Sequence, residues 1–174
     1  MKILAEIHRR EGVDVRGRTV ERTAIRGVIL RGTQLLMIRS ALSGDYNFPG
    51  GGLEEGESHE QALRRELLEE CGTRLRTCGE QIGAVIEYNF AQEAEYDTFK
   101  MTSHYYACEV EDGFGTQALE DYEQDLGYEP VWVEVEEAIR QNRSLLDMPD
   151  HPEWLPRELF MLEHLQGKPY RNHR

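Results

Sequence analysis

The sequence predicts an α/β layered fold in which a mixed sheet lies between helices. Two observations point to it. Strand-like runs stand on both sides of one well-marked helix, Ser58 to Cys71, and a second helical pattern, PEWLPRELFMLEHLQ, lies near the end. A third bounds it: no internal repeat, low-complexity tract or Pro/Gly/Ser-rich linker divides the 174 residues, so one domain over 1–174 is expected.

The elements follow in order. KILAEI reads as a short N-terminal strand and RREG as a turn before VDVRGRTV. TAIRGVIL and QLLMIRS are β-branched and apolar, and Arg31-Gly32-Thr33 between them is a hairpin signal. SGDYNFPGGGLEEGES then breaks all periodicity; its glycines and proline make it a loop, and its length marks it for function. From Ser58 the pattern turns helical: Ser58 can cap with Gln61, and Ala62, Leu63, Leu67 and Cys71 recur at helical spacing until Gly72 stops the run. RLRTCGEQIGAVIEYNF and TFKMTSHYYACEV look like strands joined by the acidic loop AQEAEYD. A second acidic stretch, ALEDYEQDLGYE, reads as a solvated loop before the short strand PVWVEV. Helices around EEAIRQN and PEWLPRELFMLEHLQ finish the chain, with Leu155, Leu159, Leu162 and Leu165 on an apolar stripe.

A net charge of −13 argues against duplex nucleic acid and anionic membrane as partners, since both are repelled over most of the surface. A polyanionic substrate then needs a local cationic device, such as bound metal or converging arginines. Cys71, Cys78 and Cys108 show no zinc-ligand spacing and read as free, buried thiols, which fits a reducing cytoplasm. The N-terminus meets acid and base too soon for a signal peptide, and no apolar run is long enough to span a bilayer. A cytoplasmic location is the expectation.

On the helix, successive residues turn by about 100°, so Glu66, Glu69 and Glu70 share one arc. Three carboxylates there repel one another unless something positive joins them, and a hard divalent cation such as Mg²⁺ is the natural partner. Acidic residues on one helical arc are more often a solvated face. The preceding loop alters the balance, because Pro49-Gly50-Gly51-Gly52 allows close backbone approach and Glu57 stands at the helix entrance.

Together, Gly51 to Thr73, GGLEEGESHEQALRRELLEECGT, resembles the Nudix box, GX5EX7REUXEEXGU with U aliphatic. Gly51, Glu57, Arg65, Glu66, Leu67, Glu69, Glu70 and Gly72 fall in register without insertion or deletion. Thr73 departs from the pattern where an aliphatic residue is usual, which predicts looser packing behind the helix. The resemblance implies a Nudix-type α/β/α sandwich with a mixed sheet, extended by an N-terminal strand and a C-terminal helix that it does not cover. It implies that Glu57, Glu66, Glu69 and Glu70 hold Mg²⁺ or Mn²⁺, that Arg65 positions the box glutamates, and that Gly50 and Gly51 let loop carbonyls approach the metal. The implied substrate is a nucleotide-like diphosphate cut at a phosphoanhydride bond.

The base is either a box glutamate or an acid outside the box. Among Glu120, Asp121, Glu123, Asp125 and Glu129, the choice falls on Glu129, just before the chain returns to the sheet. Arg26, Arg39 and Tyr46 are candidates to touch phosphate or base, against the simpler reading of solvated strand residues. No subfamily mark names the substrate: no proline lies between Pro49 and Pro130, and Phe90 and Ala91 stand where dinucleoside-polyphosphate-type members carry tyrosine. A nucleotide-binding regulatory domain without catalysis is the alternative, disfavoured by the four retained glutamates. The isomerase branch is disfavoured because no cysteine precedes the box. The N-terminal strand and the apolar C-terminal helix are each available to support a homodimer.

Overall fold

The computed structural model describes residues 1–167, so the last residues of the domain expected over 1–174 lie outside the described residues. Strand β1 (Ile3–His8) is followed by turns and then by the long β2 (Thr19–Val28). The hairpin read at Gly32 is present: β3 (Leu30–Arg31) and β4 (Gln34–Ser40) pair antiparallel, Arg31 opposite Gln34. After the short β5 (Tyr46–Asn47) and the glycine loop comes helix α1 (His59–Cys71). Ser58 and Gln61 close a reciprocal capping box at its start, and Gly72 ends it in the left-handed conformation, φ 61°.

The strands β6 (Leu75–Phe90) and β7 (Thr98–Val110) form an antiparallel hairpin. β1 adds to β6 in parallel and β2 adds to β7 in parallel, giving the order β1-β6-β7-β2. In the other sheet β8 (Tyr128–Glu134) pairs antiparallel with β4. The expected mixed sheet is therefore one mixed and one antiparallel sheet. Helices α3 (Val135–Leu146) and α4 (Leu155–Gln166) follow.

The acidic stretch expected as a solvated loop instead contains helix α2 (Asp121–Leu126), with Glu120 and Glu123 forming a capping box and Gly127 ending it at φ 63°. Glu123 is only 4% exposed. Acidic composition masked a local pattern of cap, apolar Leu126 and terminating glycine.

Strand alternation divides the core between two faces. Ile25, Ile29, Leu36 and Ile38 pack with Ala62, Leu63, Leu67 and Cys71 of α1, and burial of each leucine there is worth about 1.5–3 kcal/mol. Val28, Leu35, Met37 and Phe48 pack with Ile139 of α3 and with Leu159, Met161, Leu162 and Leu165 of α4. The leucine stripe of α4 is thus consumed inside the chain and is not free for a dimer, contrary to its reading as a docking face. Thr73 also differs from expectation: it is buried, and its hydroxyl donates to the Glu111 carbonyl at 2.9 Å, so a hydrogen bond replaces aliphatic packing. The three cysteines are free, Cys71 and Cys108 buried and Cys78 half-buried. No described helix is long and apolar enough to cross a membrane.

Candidate active site

The site grows from the N-terminal capping of α1, which fixes the rotation of the helix so that Leu63 and Leu67 face the sheet. The adjoining positions Glu66 and Glu70 are then carried below the surface, 7% and 3% exposed, while Glu69 lies at the rim. Arg65 gathers the remaining acids. Its Nε and Nη2 reach the two oxygens of Glu57, both at 3.0 Å, and its Nη1 reaches Glu66 at 2.7 Å and Glu69 at 3.3 Å. Its Nη2 also donates to the Gly52 carbonyl at 2.9 Å, tying the loop to the helix. The simple Arg65–Glu69 helix pair is the longest of these contacts, and the positioning role is the one the geometry favours.

Glu70 stands apart. Its Oε2 accepts from the Gly50 N–H at 2.7 Å, and it makes no ion pair among the described residues. Burial pushes its carboxyl well above the usual range, and the nearby charges of Glu66 and Glu123 add to that, whereas Arg26 and the Gly50 N–H pull the other way. Burial also raises Glu66 against the pull of Arg65. Glu57 is lowered, chiefly by its hydrogen bonds from Arg65.

The two loop glycines do more local work than carbonyl presentation. Gly50 has φ 131°, and a Cβ there would run into the Ile25 carbonyl of β2. A Cβ on Gly51 would strike the Glu66 carboxylate. Their carbonyls, expected to face metal, are engaged in the fold: Gly50 accepts from Arg26 Nη1 and Gly51 from the Ile25 N–H at 2.9 Å.

Glu129 and Arg39 are not brought to this cluster. They pair with each other across β8 and β4, both exposed. Arg39 is in step with Leu35 and Met37, and Glu129 with Val133, at even spacings along their strands, so strand geometry turns both to the α3/α4 side, away from α1. Tyr46, paired with Arg39, lies on that same side. Two other candidates take their place: Glu123, weighed against Glu129 and not chosen, and Arg26, one of the residues named to touch phosphate or base. Glu123, on α2, is buried within reach of the charge of Glu70, and its oxygens accept from the Glu120 N–H at 2.8 Å and the Tyr122 hydroxyl at 3.0 Å. Arg26 clamps the loop, with its buried Nε unpartnered. The Glu120-to-Glu123 spacing before Gly127 was the available signal for the first; Arg26 was named as a candidate for phosphate or base, but nothing local signalled its hold on the Gly50 carbonyl.

The donors are hard carboxylate oxygens, as Mg²⁺ or Mn²⁺ prefers, and buried like charges without a cation are costly, so the residues fit a divalent ion. Among the described residues no three acidic, His or Cys groups already form a ready cage; three of the four box carboxylates turn to Arg65 instead.

The site is thus an acid-lined helix face under a glycine loop, ordered by one arginine. A family model described as NUDIX domain matches residues 20–157, more than half of the chain, and the chain belongs to that family. It is 41% identical over 58 residues to an RNA pyrophosphohydrolase of Helicobacter pylori strain G27, a match over 33% of this chain and 37% of that protein. It is 49% identical over 41 residues to an 8-oxo-dGTP diphosphatase of Proteus vulgaris, covering 24% of this chain and 37% of the relative. These matches span well under half of either relative's length. Among solved structures it resembles a NUDIX hydrolase from Nitrosomonas europaea, TM-score 0.54 at 19% identity, over 89% of this chain and 100% of that one. The solution structure of the E. coli ORF135 protein aligns with TM-score 0.53 at 22% identity, over 88% and 96%. Both likenesses are of fold.

Proposed function

We propose that the chain is a metal-dependent hydrolase that cleaves a phosphoanhydride bond in a nucleoside diphosphate linked to another moiety. The observation that carries this reading is Glu70, a carboxylate 3% exposed, beside two further acids and without an ion pair among the described residues. Glu57, Glu66, Glu69 and Glu70 are the residues that would hold Mg²⁺ or Mn²⁺. Bound there, the ion supplies positive charge for the diphosphate and lowers the pKa of an attacking water.

The rest falls to the protein. Arg65 orients Glu57, Glu66 and Glu69. The Gly50 N–H fixes Glu70, and Arg26 anchors the loop that presents that N–H. Glu123 replaces Glu129 as the acid outside the box that accepts the water's proton, because it is buried and its charge reaches Glu70, whereas Glu129 is on the other face.

The test is release of phosphate or nucleoside monophosphate from a panel with and without Mg²⁺: ADP-ribose, dinucleoside polyphosphates, nucleoside triphosphates including 8-oxo-dGTP, and 5′-triphosphate RNA. Turnover of at least one compound, abolished by excess chelator, is expected. Full turnover in chelator contradicts the metal reading, and metal-dependent binding without turnover favours a nucleotide-binding regulatory domain.

A further inference from the structure

We infer that Glu158, on the opposite side of the sheet from α1, is a positioning residue for the box carboxylate Glu70; the inference rests on the metal-hydrolase reading above. Glu158 lies in the first turn of α4 and is fully buried. Its two oxygens serve different masters. Oε1 accepts from Arg157, with Nε at 3.0 Å, and Oε2 accepts the backbone N–H of Phe48 at 2.9 Å. Arg157 is fixed in turn, its Nη1 on Glu87 of β6 at 2.7 Å, and Glu87 also receives Arg9 at 2.9 Å. The carboxylate of Glu158 is therefore locked before it meets the loop.

Phe48 opens the segment that reaches the site. Two residues on, the Gly50 N–H is the only hydrogen-bond donor to the Glu70 carboxylate among the described residues. Between them the backbone has little freedom. The Pro49 carbonyl accepts from the Gly27 N–H at 2.8 Å, Arg26 holds the Gly50 carbonyl, and Gly50 abuts the Ile25 carbonyl where no side chain fits. The Phe48 ring is buried edge-on against Tyr105, centroids 5.6 Å apart. Without Glu158 the Phe48 N–H becomes a buried donor lacking a partner, which the segment relieves by shifting. A shift there moves the one N–H that orients Glu70.

Glu158→Asp tests this. It keeps the charge beside Arg157 but shortens the reach by one methylene, so Phe48 loses its acceptor. Glu158→Gln is the second variant: its single acceptor oxygen serves either Arg157 or Phe48, and its NH₂ opposes the other donor. Glu87→Gln is the control: its amide oxygen still accepts from Arg157 Nη1 and so keeps Glu158 in place, while the lost charge weakens the buried network and no contact with the loop is changed. Affinity for Mn²⁺ alone is read from the signal of free Mn²⁺ by electron paramagnetic resonance, alongside the melting temperature without metal. Both Glu158 variants are expected to bind Mn²⁺ at least about tenfold more weakly than wild type, in line with losses of groups that orient metal ligands. Glu87→Gln is expected to lose melting temperature and keep its Mn²⁺ affinity. Wild-type affinity in a folded Glu158→Asp, or an equal loss in Glu87→Gln, overturns the positioning role alone. A wild type that binds no Mn²⁺ overturns the metal reading and this role with it.

Discussion

One guanidinium, that of Arg65, holds Glu57, Glu66 and Glu69, which leaves Glu70 as the box acid whose charge is least compensated. Glu70→Gln keeps an acceptor for the Gly50 N–H and removes the charge. Because burial lifts the folded-state pKa of Glu70 above its unfolded value, the protonated form is favoured on folding, and this contribution is lost as pH rises from the unfolded value through the folded one. At pH 7 the metal-free variant is therefore expected to be more stable than wild type in urea denaturation, with the gap narrowing toward pH 5. Its Mn²⁺ affinity and turnover are expected to fall by about ten- to a hundredfold. Glu60→Gln on the same helix, an exposed residue paired with Arg64 at 2.9 Å, is expected to match wild type in both. Equal turnover in all three proteins removes Glu70 from the catalytic reading. Much of this site was legible, because the box places Arg65, Glu66, Glu69 and Glu70 by spacing on one helix and Glu57 at its entrance. What was not legible is which acid Arg65 leaves out, since that depends on where the loop backbone and Glu123 arrive from elsewhere in the chain.

Helix α4 joins the sheet through charge as well as leucine. Arg157 is 3% exposed and flanked by Glu87 and Glu158, both fully buried. Removing one partner of such a group leaves charge uncompensated in the interior, so Arg157→Met is expected to cost about 3–5 kcal/mol in urea denaturation at pH 7. A cost below about 1 kcal/mol, the range of surface pairs, contradicts a buried network. The pH dependence carries a sign. Burial works to raise Glu87, but Arg157 and Arg9 overcome it and hold the carboxyl below the usual carboxylate range. Stability from Glu87 is thus present above the unfolded pKa and lost as pH falls through the lowered folded value. Arg157→Met should lose part of that acid sensitivity, which denaturation between pH 3 and 6 measures. Elements with strong local grammar were readable from sequence: the capped α1, the Gly32 hairpin and the leucine stripe of α4. The pairing of Arg157 with Glu87, 70 residues apart, has no local signature, and neither does the face that Glu129 and Arg39 take until the alternation of β4 and β8 is known.

For the molecule as a whole, a net charge of −13 means that any cation stabilises it somewhat by screening, so a metal effect has to exceed that background. Binding to the folded state alone at about one hundred times Kd contributes about 2.7 kcal/mol. For a chain of this size that raises the melting temperature by about 5–10 °C. Millimolar Mn²⁺ is expected to produce such a shift, whereas sodium chloride at matched ionic strength is not; equal shifts leave screening as the whole explanation. The layered architecture was readable from the order of elements, but the parallel addition of β1 to β6 and of β2 to β7 was not, because no adjacent turn specifies it. Those two pairings join segments roughly eighty residues apart, so neither can close as a hairpin. On the ribosome, the box helix emerges well before β7, the strand that binds β2 and so completes the sheet behind it. A premature stop codon between the end of the box and Ala107 would leave β2 with part or all of its partner missing and its edge open, and such a truncated product is destined for proteolysis or aggregation even though it carries every residue of the box.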